Sequence, residues 1–107
     1  MDDLERSIKS LIEATNRGDS LALLESFADD PILIDFFGES FVGKSAIAQW
    51  NDAQNIGLRN QITATGVARS GATVTLRISV SGTGYNGPGT FVFEIEGGLI
   101  RQLLVTA

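Results

Sequence analysis

The hydrophobic pattern of this chain changes its period once, near Gly57, and that change limits the folds open to it. Before Gly57, apolar residues recur every three or four positions, as on the buried face of a helix. After it, apolar and polar residues alternate, as in a strand with one solvated face. We therefore expect helices first and a sheet second. The first helical face comprises Leu4, Ile8, Leu11, Ile12 and Thr15, and the clearest strand face comprises Ala72, Val74, Leu76, Ile78 and Val80.

Capping residues mark where the first helices begin and end. Asp2 or Asp3 is expected to cap the first helix, and Gly18 to end it in the left-handed conformation. Asp19 or Ser20 then caps a short second helix. Because Pro31 disfavours a helical Asp30, this helix is expected to stop near residues 28–30. Its predicted buried side carries Leu21, Leu24 and Phe27.

A strand and a third helix complete the first half. The run PILIDFF, residues 31–37, is rich in branched and aromatic residues and predicts a strand. The third helix is predicted from about Ser45 to Asn55, with Ile47 and Trp50 on its buried face.

The second half supplies the sheet. TFVFEIE places Phe91, Phe93 and Ile95 on one face, and Gly97-Gly98 predicts a tight hairpin turn into LIRQLLVTA. Residues 62–68 form a weaker strand. Three helices with one early strand, followed by about four strands joined by short turns, indicate an α+β fold with an antiparallel sheet. Residues 1–107 are expected to form one domain, since their number suits a single core and no repeat or linker interrupts them.

The charged residues argue against several classes of partner. Thirteen Asp and Glu against eight Lys and Arg give a formal charge of −5, which repels phosphate backbones and anionic lipid. No apolar run approaches the ~18 residues of a membrane span. We therefore expect no nucleic-acid partner and no membrane partner. The N-terminal sequence MDDLERSIKS contains charged residues from position 2 onward, unlike a secretory signal. A cytoplasmic protein is therefore expected.

The chain contains neither Cys nor His. It therefore lacks thiolate nucleophiles, zinc-thiolate sites, and the commonest general base and metal ligand. The carboxylates Asp29, Asp30, Asp35 and Glu39 do not form a metal-binding pattern. We expect no metal and no cofactor, so any catalysis has to use Asp, Glu, Lys, Tyr, Ser or Thr.

The stretch GESFVGKS, Gly38 to Ser45, matches the phosphate-binding P-loop pattern letter for letter. A P-loop cradles phosphates with its backbone N–H groups, and Lys44 and Ser45 would then reach phosphate and Mg²⁺. A phosphate site of this kind requires a mostly parallel sheet built from βαβ units, whereas a strand meander follows the third helix here. The match is therefore interpreted as coincidence, and no nucleotide partner is expected.

A second glycine pattern lies in SGTGYNGPGT, where Gly82, Gly84 and Gly87 satisfy the dinucleotide fingerprint G-x-G-x-x-G. The fingerprint needs a helix immediately afterwards to receive the pyrophosphate. Pro88 and the alternating strand TFVFEI follow instead. The segment is interpreted as a glycine-rich hairpin loop, with Tyr85 and Asn86 at an exposed tip or in a mobile lid.

Four short segments, taken in their order and spacing along the chain, can be compared with those of known families. NRGD (16–19) joins the first two helices, FADD (27–30) leads to Asp35, Gly43 with Ala46-Ile47 opens the third helix, and FVFEIEGGLIRQL closes the chain. In these segments the chain resembles the nuclear transport factor 2-like superfamily, nearest to its ketosteroid isomerase and polyketide cyclase (SnoaL-like) branch. The resemblance implies a cystatin-like α+β cone, in which three helices pack on a curved, mostly antiparallel sheet around an apolar pocket, commonly in a homodimer.

The same resemblance gives Asp35 a role, because the aspartate ending the FADD-x-x-x-x-D run is the general base of the isomerase branch. Partial shielding by neighbouring aromatic residues would make this carboxylate a stronger base than one in water. The branch's two oxyanion donors, a tyrosine and a protonated aspartic acid, are missing: Leu11 stands at the first position, and Gly89 or Thr90 at the second. The alternative is that Asp35 forms a turn and bonds to local backbone N–H groups.

Two functions remain open from the sequence. The first is a non-catalytic pocket or dimerisation module that binds a small apolar molecule, with ligand contacts from Trp50, Phe37, Phe91 and Phe93. The second is an acid–base isomerase, cyclase or hydratase that acts on a small carbonyl compound, with Asp35 as general base. Under either function we expect a homodimer formed through the outer face of the sheet.

Overall fold

The computed structural model describes residues 4–107, so the predicted cap at Asp2 or Asp3 lies outside the described residues. Helix α1 (Arg6–Arg17) ends at Gly18, whose φ of 75° is left-handed as predicted. Asp19 caps α2 (Ser20–Glu25), because its carboxylate accepts a hydrogen bond from the N–H of Ala22 at 3.0 Å. That N–H, together with Arg17, lowers the pKa of the Asp19 carboxyl.

Helix α2 is shorter than predicted. It ends at Glu25, and strand β1 (Phe27–Ile34) begins where the helix was expected to continue. The correction has a physical cause: Phe27 pairs with Ile100 of the last strand, and its ring is buried in the core. The predicted face of α2 is also wrong in part, since Leu21 is exposed and Leu23 is the buried residue of this helix.

Strand β1 contains a bulge and ends earlier than predicted. The register against the last strand shifts between Phe27 and Ile32, and Asp30 has a φ of 53°, which an Asp tolerates better than most residues. The strand ends at Ile34, so Phe36 and Phe37 lie in the following turn.

The remaining elements follow the predicted order, with a short second strand added before the third helix and a 3₁₀ turn added after it. Two glycines of positive φ, Gly97 at 59° and Gly98 at 81°, form the last hairpin turn as predicted. The elements are β2 (Ser40–Val42), α3 (Lys44–Gln54), a 3₁₀ turn (Ile56–Leu58), β3 (Gln61–Ser70), β4 (Thr73–Ser81), β5 (Gly87–Glu96) and β6 (Leu99–Thr106).

The six strands form one curved, open sheet in the order β2-β1-β6-β5-β4-β3. Strand β1 is parallel to β6, and every other neighbouring pair is antiparallel. The predicted fold class, three helices packed on a curved, mostly antiparallel sheet, is thereby confirmed. Within residues 4–107, no helix has the length and apolar character needed to cross a membrane.

The core lies between the helices and the concave face of the sheet. Alternation along the strands turns Val74, Leu76, Phe93 and Leu103 inward, and α1 covers them with its buried face. At the other end of the sheet, the side chains between the strands, α3 and the 3₁₀ turn do not fill the interior and leave the space described next.

Candidate ligand cavity

A cavity of about 300 Å³ lies between α3 and its 3₁₀ turn on one side and the concave face of β3 to β6 on the other. Apolar side chains dominate its wall, which is the usual character of a small-molecule site. The residues that line it are Phe36, Phe37, Trp50, Gln54, Asn55, Leu58, Asn60, Ile62, Ile78, Val80, Tyr85, Pro88, Gly89, Phe91, Val105 and Thr106.

The apolar wall follows from two periodicities. Ile78 and Phe91 face the cavity because alternate residues of β4 and β5 point to the concave side of the sheet. Trp50 enters from α3, one helical turn after the fully buried Ile47. Gly89 belongs to the same face of β5 as Phe91, and its missing side chain leaves part of the space empty.

Three aromatic residues stand at the mouth of the cavity. Phe37 is 81% exposed, and Phe36 and Tyr85 are about half exposed. The ring of Phe36 lies 5.6 Å from that of Phe37 and 6.3 Å from that of Tyr85, measured between centroids. The contact between the rings of Phe36 and Tyr85 therefore connects the turn after β1 with the loop before β5. We call these three residues the aromatic mouth.

The glycine-rich loop before β5 is fixed against the 3₁₀ turn. The N–H and hydroxyl of Thr83 both donate to the carbonyl of Leu58, at 2.8 and 3.0 Å. A Cβ on Gly82 would stand 2.8 Å from that same carbonyl, and one on Gly84 would stand 2.8 Å from the Leu58 side chain. Gly82 of the apparent dinucleotide fingerprint is thus required for close packing of this loop, since its clash is with backbone, and the loop leads into β5 as predicted.

The P-loop-like segment has an extended conformation. Ser40 to Val42 form β2, paired antiparallel with β1, and Gly43 donates its N–H to the carbonyl of Pro31 at 2.8 Å. Lys44 then begins α3 and is exposed. The segment therefore crosses from the first long strand to the third helix.

A buried polar network closes one end of the cavity. Asn55 donates to the Thr15 hydroxyl at 3.1 Å and to the Asn51 carbonyl oxygen at 3.0 Å. Asn51 in turn donates to the Ser20 hydroxyl, and Asn60 donates to Asn55 Oδ1 at 3.4 Å. The network ties α3 to α1 and α2. The sequence pattern did not reveal this network, although the four-residue spacing of Asn51 and Asn55 places both on one helix face.

Asp35 is 2% exposed, and both of its carboxylate oxygens accept hydrogen bonds. Oδ1 accepts from the backbone N–H groups of Phe37 at 2.9 Å and Glu39 at 2.8 Å. Oδ2 accepts from the side-chain amide of Gln54 at 3.2 Å. This is the turn-forming arrangement, and Asp35 is not among the described residues that line the cavity, whereas its partner Gln54 is.

Comparisons with known proteins show the family to which the chain belongs. The family model of the SnoaL-like domain matches residues 8–103. The chain belongs to the SnoaL-like family. No curated protein sequence matches the chain.

Solved structures of this fold include ligand-binding examples. A proposed polyketide cyclase from Sinorhizobium meliloti has 27% identity and a TM-score of 0.89, with 98% of this chain and 97% of that one covered. A Mycobacterium tuberculosis protein in complex with estradiol-17β-hemisuccinate has 17% identity and a TM-score of 0.77, with 92% and 88% covered. A computationally designed 17-OHP binder has 20% identity and a TM-score of 0.81, with 94% and 87% covered.

This SnoaL-like domain brings three of the four predicted ligand residues to the cavity: Trp50, Phe37 and Phe91 line it. Phe93 lies two residues further along β5, fully buried, with its ring 5.8 Å from that of Phe91. Leu11 is buried in the core. Of the two positions considered for the acid, Gly89 lines the cavity, and the Thr90 hydroxyl donates to the backbone carbonyl of Ala107.

Proposed function

We propose that this SnoaL-like domain binds a small apolar molecule in the cavity between α3 and the sheet. The observation that carries the proposal is the space itself: about 300 Å³, walled mainly by aliphatic and aromatic side chains and open at the aromatic mouth. Pockets of this kind begin at about 300 Å³ in ligand-binding proteins. The steroid complex formed by a protein of the same fold supports this class of ligand.

The proposal can be tested through Trp50, the single tryptophan of the chain, which lines the cavity. We expect saturable quenching or enhancement of its fluorescence by small bicyclic hydrocarbons and ketones. The variant Gly89→Leu fills the cavity from β5, where a Cβ would make only ordinary contacts of 3.5 Å. Its affinity is expected to fall by about tenfold or more, because one buried Leu displaces much of the ligand volume.

The matched control is Thr90→Leu, which adds a side chain of the same kind at the next position of β5, outside the cavity wall. It should bind like the wild type. Loss of binding in both variants, or in neither, would count against the cavity as the binding site. Thermal unfolding of each variant separates loss of binding from loss of fold.

A second candidate function is proton transfer on a small carbonyl compound, with Asp35 as general base. It is favoured by the burial of the Asp35 carboxylate directly behind Gln54, which lines the cavity. Catalysis would require Gln54 to move aside. The test is deuterium exchange at the carbon next to the carbonyl of an enolisable ketone. Exchange that the wild type accelerates and Asp35→Asn does not would favour this function over binding alone.

We also propose a homodimer formed through the outer face of the sheet. Ile34, Leu104 and Val92 lie side by side on that face, since β1, β6 and β5 pair in this register, and all three are only half-buried. A second copy of the chain would cover them. Light scattering at micromolar concentration should give twice the chain mass, and Leu104→Lys should give one chain mass. A wild-type monomer would contradict the proposal.

A further inference from the structure

The polar side chains that line the cavity differ in how much hydrogen-bonding capacity they have left. Asn55 uses its amide hydrogens for Thr15 and Asn51, and its oxygen accepts from Asn60. The Tyr85 hydroxyl donates to the carbonyl of Pro88. Gln54 makes one bond, from Nε2 to Asp35 Oδ2. Its Oε1 and second N–H have no partner among residues 4–107.

The orientation of the Gln54 amide is fixed by its partner. A carboxylate only accepts hydrogen bonds, so Gln54 has to turn its NH₂ group toward Asp35. Asp35 cannot rotate away, because its other oxygen is held by the N–H groups of Phe37 and Glu39. The backbone at the end of α3 is also tied, since Asn60 donates to the Gln54 carbonyl at 3.3 Å.

This chain of bonds has a chemical consequence at the cavity. A negative carboxylate that accepts from an amide N–H polarises the amide and makes its oxygen a better acceptor. Gln54 Oε1 therefore favours a ligand that donates a hydrogen bond. Asn60 and Thr106 also line the cavity, but Asn60 Oδ1 is buried on the side of Gly82. An apolar wall around an acceptor polarised in this way suits a hydrophobic molecule that carries a hydroxyl group.

We propose that Gln54, oriented by Asp35, is a polar contact of the cavity and selects apolar alcohols or phenols over ketones and hydrocarbons of the same shape. Asp35 is then a positioning residue that acts through Gln54. This inference rests on the proposed function, because it names the class of ligand that the same cavity takes.

The experiment uses three probes of one shape: tetralin, β-tetralol and β-tetralone. We measure their affinities for the full chain by calorimetry. The wild type should bind the alcohol about three- to tenfold more tightly than the hydrocarbon, which is the contribution of one net hydrogen bond. Gln54→Leu should retain tetralin binding and lose the preference for the alcohol. Its control is Gln49→Leu, the same substitution on the exposed face of α3.

Asp35→Asn gives the sharper test. The oxygen of the introduced amide can still accept from Phe37 and Glu39, so the turn is retained and the new NH₂ group faces Gln54. The Gln54 amide then has to reverse, with its oxygen toward that NH₂ group and both of its own N–H groups toward the cavity. The ratio of alcohol to ketone affinity should fall by about three- to tenfold. Asp52→Asn on the exposed face of α3 removes the same charge and should leave the ratio unchanged.

The side-chain NH₂ signals of Gln54 provide a readout that does not depend on the Asp35 variant. They are assigned by their disappearance in Gln54→Leu, and β-tetralol should shift them more than tetralin does. Binding of tetralin with no preference for the alcohol and no such shift would overturn the role of Gln54 and leave the cavity as a binding site. Absence of binding by all three probes would overturn the proposed function itself.

Discussion

The interior of this domain has two halves. The same strands run through both, but one half is filled with side chains and the other contains the cavity. In the closed half, the side chains are at most 1% exposed and fill the space between α1, α2 and the sheet; its members are Ile8, Leu11, Ala14, Leu23, Phe27, Leu33, Val74, Leu76, Phe93, Ile100 and Leu103. In the hollow half, Trp50, Ile62, Ile78 and Phe91 surround the cavity. Phe93 and Phe91 are two residues apart on one face of β5 and belong to different halves.

The difference shows that alternation decides which residues face inward, and that the opposing helix decides whether they meet a neighbour or a space. Helix α1 lies against the closed half and contributes a fully buried face. In the hollow half, α3 contributes the buried Ile47 and Trp50, and a polar network and a glycine-rich loop hold the end of α3 and the 3₁₀ turn in place around the cavity. Stability is therefore expected to reside mainly in the closed half, and ligand recognition in the hollow half.

The two phenylalanines of β5 give the most direct test of the difference between the two halves. Phe93→Ala should reduce the free energy of unfolding by about 3–5 kcal/mol, because it opens a new cavity in a packed core. Phe91→Ala should cost less, since one side of its ring already faces empty space. Urea unfolding of both variants measures the difference. Equal losses would mean that the hollow half is packed as tightly as the closed one.

The polar network marks the border between the halves. Asn55→Ala should reduce the free energy of unfolding by about 1–3 kcal/mol, because buried partners on Thr15 and Asn51 lose their hydrogen bonds. Asp52→Ala on the exposed face of the same helix should change it by less than about 0.5 kcal/mol. If both variants unfold like the wild type, the network does not position α3.

The smallest expected effect concerns an ion pair at the edge of the closed half. Arg69 donates to both carboxylate oxygens of Glu5, at 2.8 and 2.9 Å, and this hydrogen bonding lowers the pKa of Glu5 below its ordinary 4.5. Since the folded-state pKa is the lower one, the stabilisation is present above pH 4.5 and is lost as the pH falls through the folded-state pKa.

Glu5→Gln should therefore be less stable than the wild type at neutral pH by about 0.2–1 kcal/mol, a small value because the pair is partly exposed. The difference should vanish in strong acid. Chemical unfolding of both proteins across this pH range measures it. A difference that stays constant with pH would exclude the ion pair as its cause.

Much of the fold could be predicted from the sequence, because the change of period and the caps at Gly18 and Asp19 are local signals. The end of α2 was mispredicted because Phe27 pairs with Ile100, more than seventy residues away along the chain. No local pattern contains that contact. Phe36 and Phe37 extend the apolar run, but they lie in the turn that Asp35 forms with its own neighbours.

The cavity was less predictable than the fold. Trp50 and Phe91 could be placed on inward faces, but the sequence does not distinguish Phe91 at a cavity wall from Phe93 in a packed core. Gln54 and Asn55 were missed because polar residues near a helix end are usually solvated. Their role depends on partners in other elements, Asp35 and Thr15, which only the folded chain brings near.

The placement of β6 between β1 and β5 has a consequence for how the protein is made. The first strand and the sixth are neighbours, so the β1–β2 pair has no partner on its other side until β6 has left the ribosome. A nascent chain that lacks residues 99–106 would leave two sheet edges unpaired and open to other molecules. The translation of β6 should therefore determine when these two edges become paired.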